Sequence, residues 1–244
     1  MDDSWIDMDS ATVAALDAIN REFYEAVAPE FSASRNRINP GISEGFEGLA
    51  GVESVLDAGC GDGRVGLAWV AGSLPLPWSR GCRYVGLERS RALLAARTPW
   101  PPALEAVQGD LLAGSWPEWP FDVVCCFATL HHLPGRAARR QVLRRIGEVL
   151  SPSGTWVVSV WQFLHLDRYR KRIVDWAEVG LDPDRLERGD LLLDWRRGPR
   201  ALRYVHHYEP SELIEDCEAA GLALDRQWSA DEGLGLYVRG RSGA

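Results

Sequence analysis

Three alternating glycines mark the stretch of this chain best suited to hold a ligand. Gly59, Gly61 and Gly63 follow an apolar run that ends in Asp57, and helix-like sequence begins near Arg64. Because glycine has no Cβ atom, a ligand can lie directly against such a backbone. A strand, a loop and a helix in this order place the ligand at the carboxyl end of the strand, in the usual crevice of an open α/β sheet. The alternative is an ordinary glycine-rich turn of some other α/β protein.

Two acids follow the next predicted strands and indicate what the ligand carries. Glu88 closes the second strand, where a carboxylate can accept hydrogen bonds from ribose hydroxyls. Its position relative to the glycine loop favours this role over that of a solvated strand-end charge. Asp110, next to Leu111, follows the third strand, and it could accept from an adenine amino group or close a turn. The dinucleotide pattern G-x-G-x-x-G is absent, since Arg64 occupies the place of its third glycine.

One arginine and three histidines are the polar residues best placed to act beside that ligand. His131 and His132 are adjacent and follow a predicted buried strand. Because neighbouring residues of an extended segment point to opposite sides, we expect one of them to face the ligand and the other to pack, and we predict no metal site. Arg35 lies in a polar loop after the first predicted helix, and His206 lies in a predicted edge strand.

Strands alternate with helices along the chain, which implies a largely parallel sheet with helices packed on it. The predicted strands of this sheet are residues 52–57, 83–88, 104–108, 121–128, 155–161, 222–228 and 234–239. An edge strand is predicted at 202–208, and the main helices are predicted at 10–27, 137–150 and 210–220. The arginines of the 137–150 helix are expected to face solvent or, alternatively, to contact phosphate: Arg136, Arg139, Arg140, Arg144 and Arg145.

Composition limits the classes of protein to which the chain can belong. Its 244 residues, 46% of them hydrophobic, suit one sizeable α/β domain with additions. No apolar run approaches the roughly 20 residues that cross a bilayer. The first residues are acidic, unlike a secretory signal, and the five cysteines form no C-x-x-C pair. We therefore expect a cytoplasmic protein without a membrane or metal partner. The net charge of −8 argues against unspecific affinity for nucleic acid.

The pattern Asp57-x-Gly59-x-Gly61-x-Gly63, with Glu88, Asp110 and the strand ending at Ala128, resembles class I S-adenosylmethionine-dependent methyltransferases of the type 11-like group. The resemblance covers residues 50 to 240. It implies a Rossmann-like α/β fold with a seven-stranded, mostly parallel sheet, helices on both faces and the last strand antiparallel. It also implies S-adenosyl-L-methionine as the cofactor. The cofactor-binding residues that it implies are Tyr24, Asp57, Gly59, Gly61, Glu88, Asp110, Leu111 and Ala128.

Four shorter segments resemble one group of these enzymes more closely, the tRNA wobble-uridine carboxymethyl methyltransferases. The segments are Phe23–Arg35, Ala128–Leu133 with the arginine pair that follows, Val160–Trp161, and Arg203-Tyr204-x-His206. Glu88 departs from the group, which usually has Asp there. This resemblance implies methyl-ester formation on the carboxylate of a carboxymethyl-type wobble uridine, with the anticodon arm of tRNA as a partner. Eukaryotic members work with a small activating protein, so the resemblance also raises a partner of that kind.

A carboxylate nucleophile would set the demands on the catalytic residues. Since a carboxyl group with a pKa near ~4 is ionised at neutral pH, no general base is required. The protein must instead hold the carboxylate in line with the methyl group and exclude water. Arg35, His131 and His206 are the catalytic candidates for this task. Arg35 could instead hold the carboxylate of the cofactor's methionine part, and both roles stay open.

Four segments are expected to build the site. Residues 1–49 supply the N-terminal helix and an active-site cover, 50–161 the cofactor-binding core, 162–201 an insertion that could cover the substrate, and 202–244 the rest of the same domain. From 162 to 204, ten basic and eight acidic residues give a net charge of +2, against −10 for the remainder. Arg35, Arg37 and the arginines of residues 168–203 are therefore expected to contact the anticodon arm locally. A small-molecule O- or N-methyltransferase with 162–201 as its lid is the main alternative. A non-catalytic methyltransferase-like scaffold is a further one.

Overall fold

The computed structural model describes residues 8–35, 37–74, 78–118 and 120–242, and for residues 78–80 it describes the backbone. The acidic first residues, 1–7, lie outside this part of the chain. The helices are α1 (Ser10–Ala33), α2 (Pro40–Gly45), α3 (Arg64–Val70), α4 (Arg91–Ala95), α5 (Arg136–Glu148), α6 (Asp167–Arg170) and α7 (Pro210–Ala219). Short 3-10 helices lie at Leu130–His132, Trp176–Val179 and Pro183–Arg185. Within the described ranges, no helix has the length and apolar character that crossing a membrane requires.

The ten strands belong to two sheets. The strands are β1 (Val52–Ala58), β2 (Trp78–Glu88), β3 (Leu104–Gln108), β4 (Phe121–Phe127), β5 (Leu150–Trp161), β6 (Ile173–Val174), β7 (Asp190–Trp195), β8 (Ala201–His206), β9 (Ala223–Ala230) and β10 (Gly235–Arg241). The main sheet has the order β3-β2-β1-β4-β5-β10-β9. Neighbours are parallel from β3 to β5, whereas β10 is antiparallel to both β5 and β9. The predicted seven-stranded sheet with an antiparallel last strand is confirmed.

Helices cover both faces of the main sheet, as a parallel sheet requires. On one face, buried residues of α5 and α7 such as Leu143 and Leu213 complete a large core cluster. On the other face, Ile42 of α2 and Val65 of α3 belong to a second cluster. Leu56 in the central strand β1 is fully buried. The carboxyl ends of β1, β2 and β4 therefore stay fixed at one edge of a closely packed core.

The small sheet consists of β6, β7 and β8, paired antiparallel. The predicted edge strand at 202–208 is β8, and it pairs with β7 of this small sheet rather than with the main sheet. A short connection joins β7 to β8, so the two strands pair as a hairpin. The predicted division between residues 201 and 202 consequently falls inside β8, and the structure joins residues 201–206 to the insertion before them.

Helix α1 is longer than predicted. Its apolar face continues through Phe23, Val27 and Phe31 at four-residue spacing, and all three side chains are buried. The helix therefore runs to Ala33 although it contains Pro29. These side chains pack against α4 and β7, so that α1 closes over the carboxyl edge of the main sheet.

Buried charges join α5 to α7 and to the small sheet. Arg139 is fully buried and donates to Glu187 at 2.7 Å and to Glu212 at 3.1 Å. Arg136 donates to the buried Asp216 at 2.5 Å. The predicted solvent-facing placement is wrong for these two arginines, because carboxylates of α7 and of the segment before β7 surround them inside the protein.

Candidate active site

A cleft of about 870 Å³ lies at the carboxyl ends of β1, β2 and β4, beside α1. Arg35 is among the residues that line it. The structure brings together all eight residues predicted to bind the cofactor, and every one of them lines this cleft: Tyr24, Asp57, Gly59, Gly61, Glu88, Asp110, Leu111 and Ala128.

The three glycines of the loop serve different purposes. All have a left-handed backbone, with φ of +78° at Gly59, +60° at Gly61 and +73° at Gly63. A Cβ atom at Gly59 would lie 2.5 Å from the Thr129 side chain, and one at Gly63 would lie 2.4 Å from Trp100. A Cβ atom at Gly61 would meet no heavy atom within 4 Å. Gly59 and Gly63 therefore permit close packing inside the protein, whereas Gly61 leaves open space beside the cleft.

A buried carboxylate, Asp57, and a half-buried one, Glu88, flank this loop. Asp57 is 2% exposed and accepts a hydrogen bond from the Tyr84 hydroxyl at 2.6 Å. Burial raises the pKa of Asp57 to about 6. Glu88 accepts from the Gly61 amide at 3.0 Å and from the Ser90 amide at 2.8 Å, and burial raises its pKa as well. Both groups ionise less readily than ordinary carboxyls, so a bound cation or a set of donors would favour their charged forms.

Asp110 closes a turn and also lines the cleft. Its Oδ1 accepts from the Leu112 amide at 2.9 Å, which is the turn role considered for it. Its Oδ2 faces Arg21 at 3.3 Å. Leu111 beside it is buried and, with Leu93, adds apolar surface to the cleft. An acid at the end of β2, open space at Gly61 and apolar side chains near Asp110 fit an adenosine-bearing cofactor.

A second cavity, of about 1,170 Å³, adjoins the cleft. Arg35, Arg64 and Ala128 line both, which makes the two spaces neighbours. The second cavity is strongly basic and aromatic, and among the described residues no carboxylate lines it. Its charged lining is Arg35, Arg37, Arg64, Arg172, Arg197 and Arg203, and its aromatic lining is Trp161, Tyr169 and Trp195. An anion that also carries a flat ring would suit this lining.

Arg203 and Arg35 lie on aromatic rings, and the described residues supply neither with an ion-pair partner. Arg203 is 5% exposed, with its guanidinium carbon 5.0 Å from the Phe23 ring and 4.8 Å from the Trp161 ring. Its Nε and Nη1 have no hydrogen-bond partner within the described ranges. The guanidinium carbon of Arg35 lies 3.9 Å from the centre of the Phe31 ring. Burial, and to a smaller extent the charge of Arg64, lowers the pKa of Arg35 to about 9. A bound anion would relieve both conditions.

One of the two adjacent histidines faces the cofactor cleft and the other packs in the interior, but the one that packs is His131, the predicted catalytic candidate. His132 lines the cofactor cleft, whereas His131 is fully buried, stacks on Trp161 at 4.8 Å between ring centroids, and lines neither cavity. Residues 130–132 form a 3-10 turn, and the two imidazole rings lie 4.3 Å apart. His131 is therefore a packing residue, and His132 takes its place as a candidate for ligand contact.

His206 is separated from the other candidates. It is fully buried, with Nδ1 2.7 Å from Asp190 and Nε2 3.0 Å from Glu212, and it lines neither cavity. The structure does not support its predicted contact with substrate. Glu187, Asp190 and His206 could in principle surround a cation, but Arg139 already donates to Glu187, and the Tyr204 hydroxyl donates to Asp190 at 2.8 Å. These donors account for the carboxylates, and we infer no metal there.

Residues that sequence reasoning did not assign to the site make up most of the second cavity. Trp161 lay within a motif but had no role, and Arg64 marked a helix start. Arg172, Arg197 and Arg203 were expected only as part of a group of arginines that contacts the anticodon arm. Tyr169 and Trp195 lie in the same positively charged segment but were not singled out.

The strand order, the glycine loop and the acid that ends β2 together define a nucleoside-binding α/β fold of the class I methyltransferase type. A methyltransferase-domain family model matches residues 56–156. A putative methyltransferase of Encephalitozoon cuniculi is 31% identical over 215 residues, covering 87% of this chain and 90% of the relative. The tRNA (carboxymethyluridine(34)-5-O)-methyltransferase of Arabidopsis thaliana is 27% identical over 138 residues, covering 57% of this chain and 31% of that protein.

Solved structures agree with this fold. The Burkholderia thailandensis 1,6-didemethyltoxoflavin-N1-methyltransferase, with bound S-adenosylhomocysteine, superimposes with a TM-score of 0.64 over 99% of this chain and 95% of that one, at 17% identity. A chain from the complex between the Haloferax volcanii Trm112 activator and a putative methyltransferase superimposes with a TM-score of 0.62, over 92% of this chain and 97% of that one, at 15% identity. The chain belongs to the methyltransferase family, and it is an S-adenosylmethionine-dependent enzyme.

Proposed function

We propose that this methyltransferase esterifies the carboxylate of a carboxymethyl-type wobble uridine in tRNA. The observation that carries the proposal is the second cavity, where six arginines and three aromatic side chains meet without a carboxylate among the described residues. The cavity adjoins the cofactor cleft through Arg35, Arg64 and Ala128. A group bound in the second cavity would thus be next to the cofactor.

The arginines favour a carboxylate substrate. Guanidinium groups suit carboxylates because their N–H donors match both oxygens. Arg203 is buried, and two of its nitrogens have no partner among the residues that the structure describes; leaving such a charged donor unpaired is costly. Arg35 lies in the wall shared by the two cavities, so it is placed to hold the carboxylate at their junction. Its alternative role, on the carboxylate of the cofactor, stays open for the same reason.

The aromatic side chains favour a planar base beside that carboxylate. Trp161, Tyr169 and Trp195 offer flat surfaces within the cavity. Stacking of a base on an aromatic side chain contributes about 1–3 kcal/mol. The partial similarity to the Arabidopsis enzyme, whose name specifies carboxymethyluridine at position 34 of tRNA, supports the same substrate.

The chemistry needs no general base from this chain. S-adenosylmethionine supplies a methyl group that is already activated on a sulfonium. The candidate imidazoles are unsuited to act as bases. His131 and His206 line neither cavity. The pKa of His132 is lowered well below 6.5, first by burial and then by the charge of Arg203. The residues of the two cavities would hold the nucleophilic carboxylate, orient it and exclude water.

The rim of the second cavity suits a nucleic-acid backbone. Arg37 and Arg197 are exposed there, and Arg172 is half-buried. None of the three forms an ion pair with a carboxylate in the part of the chain that the structure describes. Contacts to phosphate would make binding fall steeply with salt, with a log–log slope near −0.7 to −0.9 for each neutralised phosphate. Replacing one such arginine by glutamine should make that slope about 0.7–0.9 less steep.

An activating partner belongs to the same proposal. The structural neighbour from Haloferax volcanii was solved in a complex with the Trm112 activator. We propose that this chain can also work with a small activating protein. The assay should therefore be run with and without a Trm112-type protein.

The decisive experiment offers purified protein an anticodon stem-loop with carboxymethyluridine at the wobble position and labelled cofactor. Mass spectrometry of the nucleosides should show the methyl ester. Arg203→Gln should abolish most transfer, whereas Arg188→Gln should not, because Arg188 is exposed in the same segment and lines neither cavity. Transfer to free carboxylated aromatic compounds but never to the stem-loop, even with the activator, would instead favour a small-molecule methyltransferase.

A further inference from the structure

We infer that His132 binds the cofactor as a neutral hydrogen-bond acceptor, through Nε2, in a tautomer that the fold fixes. The inference concerns the methyltransferase class and does not depend on the tRNA substrate. His132 is 6% exposed and lines the cofactor cleft but not the second cavity. Its ligand is therefore the cofactor, which carries O–H and N–H donors.

The tautomer follows from one hydrogen bond. Nδ1 of His132 lies 3.1 Å from the backbone oxygen of Tyr204. A carbonyl oxygen can only accept, so Nδ1 must carry the proton. In the neutral ring, Nε2 then has a free lone pair and can only accept.

The surroundings keep the ring neutral. Burial lowers the pKa of His132 well below 6.5, and the charges of Arg203, Arg35 and Arg89 lower it further, although the hydrogen bond to Tyr204 acts in the opposite sense. The neighbouring ring of His131, 4.3 Å away, is also held neutral by burial. At neutral pH, therefore, a donor that reaches Nε2 meets a lone pair rather than a proton.

Asn20 holds this arrangement in place. Its side-chain Nδ2 donates to the backbone oxygen of His132 at 2.9 Å, and its Oδ1 accepts from the Tyr204 amide at 3.0 Å. Asn20, Tyr204 and His132 thus form a closed ring of hydrogen bonds between α1, β8 and the 3-10 turn. Asn20 is fully buried, and Tyr24 packs on the imidazole edge with 5.7 Å between centroids. The ring can rotate little without breaking these contacts.

Nε2 is the one group of this arrangement that lacks a partner among the described residues. A buried acceptor left without a donor is costly, and most such groups in proteins are paired. His131 also has unpaired ring nitrogens, but it lines neither cavity. His132 differs because the residue that carries the unpaired atom lines the cleft, and we infer that a ligand donor pairs with this atom there.

The first test is NMR of the protein labelled with ¹⁵N-histidine, with the His132 signals assigned from the His132→Asn variant. In the free protein we expect a neutral ring with the proton on Nδ1 from pH 6 to 9. Saturation with S-adenosylhomocysteine should shift the Nε2 signal. A proton on Nε2, titration near pH 6.5, or an Nε2 signal that S-adenosylhomocysteine leaves unchanged would each overturn the inference.

Calorimetric titration with S-adenosylhomocysteine supplies a second, independent readout. His132→Asn keeps a donor near the Tyr204 oxygen but lacks the distant acceptor, and it should weaken binding about tenfold. His132→Gln places an acceptor further out and should recover part of the loss. His165→Asn, in an exposed residue outside both cavities, should bind like the wild type. Melting temperatures of all variants identify losses caused by misfolding, and unchanged affinity in a folded His132→Asn protein overturns the inference.

Discussion

Gly61→Ala and Gly72→Ala form a matched pair that separates ligand binding from backbone strain. Gly61 has φ of +60° and Gly72 has φ of +69°, and a Cβ atom at either position meets no heavy atom within 4 Å. A left-handed residue other than glycine costs about 1–2 kcal/mol. Both substitutions should therefore lower the free energy of unfolding by a similar amount, which urea denaturation measures.

The affinity for cofactor should separate the two variants. Gly61 lines the cofactor cleft, whereas Gly72 lies beyond the end of α3 and does not line it. A methyl group at Gly61 would take up space beside the ligand, and inserting a methyl group into a fitted space costs about 1–3 kcal/mol. Calorimetry with S-adenosylhomocysteine should show a roughly five- to 150-fold loss for Gly61→Ala and wild-type affinity for Gly72→Ala.

The other two loop glycines are poor probes of the same point. A side chain at Gly59 would collide with Thr129, and one at Gly63 would collide with Trp100, with or without a ligand. The Gly61 and Gly72 pair avoids this ambiguity. Wild-type affinity in Gly61→Ala would refute the placement of the cofactor beside Gly61, and equal losses in both variants would attribute the effect to strain.

Three further predictions follow from charged groups. Burial raises the pKa of Asp57 to about 6, and a cationic cofactor favours the ionised carboxylate. The affinity for the cofactor should therefore fall by up to about tenfold per pH unit below pH 6. In calorimetric titrations, Asp57→Asn should remove this pH dependence. Burial and Arg139 oppose protonation of His206, but hydrogen bonds to Asp190 and Glu212 outweigh them and raise its pKa. Such a raised pKa stabilises the folded protein fully at pH values below the unfolded-state pKa of about 6.5, and the effect is lost as the pH rises through the folded-state pKa. Between these two pKa values, the melting temperature of the wild type should fall more than that of His206→Gln. Arg203→Met keeps the contacts with Phe23 and Trp161 but removes the charge. The kcat/KM for the stem-loop should therefore drop about tenfold or more, while the affinity for the cofactor stays unchanged. Equal losses of kcat/KM and of cofactor affinity would count against a substrate role for Arg203.

The cofactor cleft could be predicted from sequence because its parts are local. The glycine loop combines an acid, three glycines and a helix start within eight residues, and Glu88 ends the strand that pairs beside β1. Strand order in such a sheet brings these ends together. Choosing between His131 and His132 required more, since the 3-10 turn at 130–132 replaces the extended geometry on which the prediction relied.

Only single parts of the second cavity could be predicted, such as Arg35 and the basic segment after β5, because its residues come from segments that meet only after folding. Arg35 follows α1, Trp161 ends β5, Tyr169 lies in α6 and Arg203 lies in β8. No local pattern links their positions in sequence. The small sheet was unrecognised for a different reason: the two residues of β6 are too few to show the alternation typical of a strand.

Arg139 shows a signal that was present and could have been used. Val142, Leu143 and Ile146 are the buried face of α5, and Arg139 precedes them at three-, four- and seven-residue spacing. Its place on the apolar face therefore pointed to the interior. A charge there requires partners, and the carboxylates of Glu187 and other segments provide them.

The acidic chain and the anionic substrate proposed for it are compatible because the two charges act over different distances. Net charge governs unspecific attraction, and a net charge of −8 disfavours it. Exposed charges on remote faces are screened beyond about 8 Å at physiological salt, whereas buried charges are screened much less. Arg203, almost completely buried and without a carboxylate partner among the described residues, is therefore weakly screened toward a carboxylate in the cavity. Specific capture at such a site, with weak attraction elsewhere, favours an enzyme that selects one modified nucleotide over one that binds nucleic acid in general.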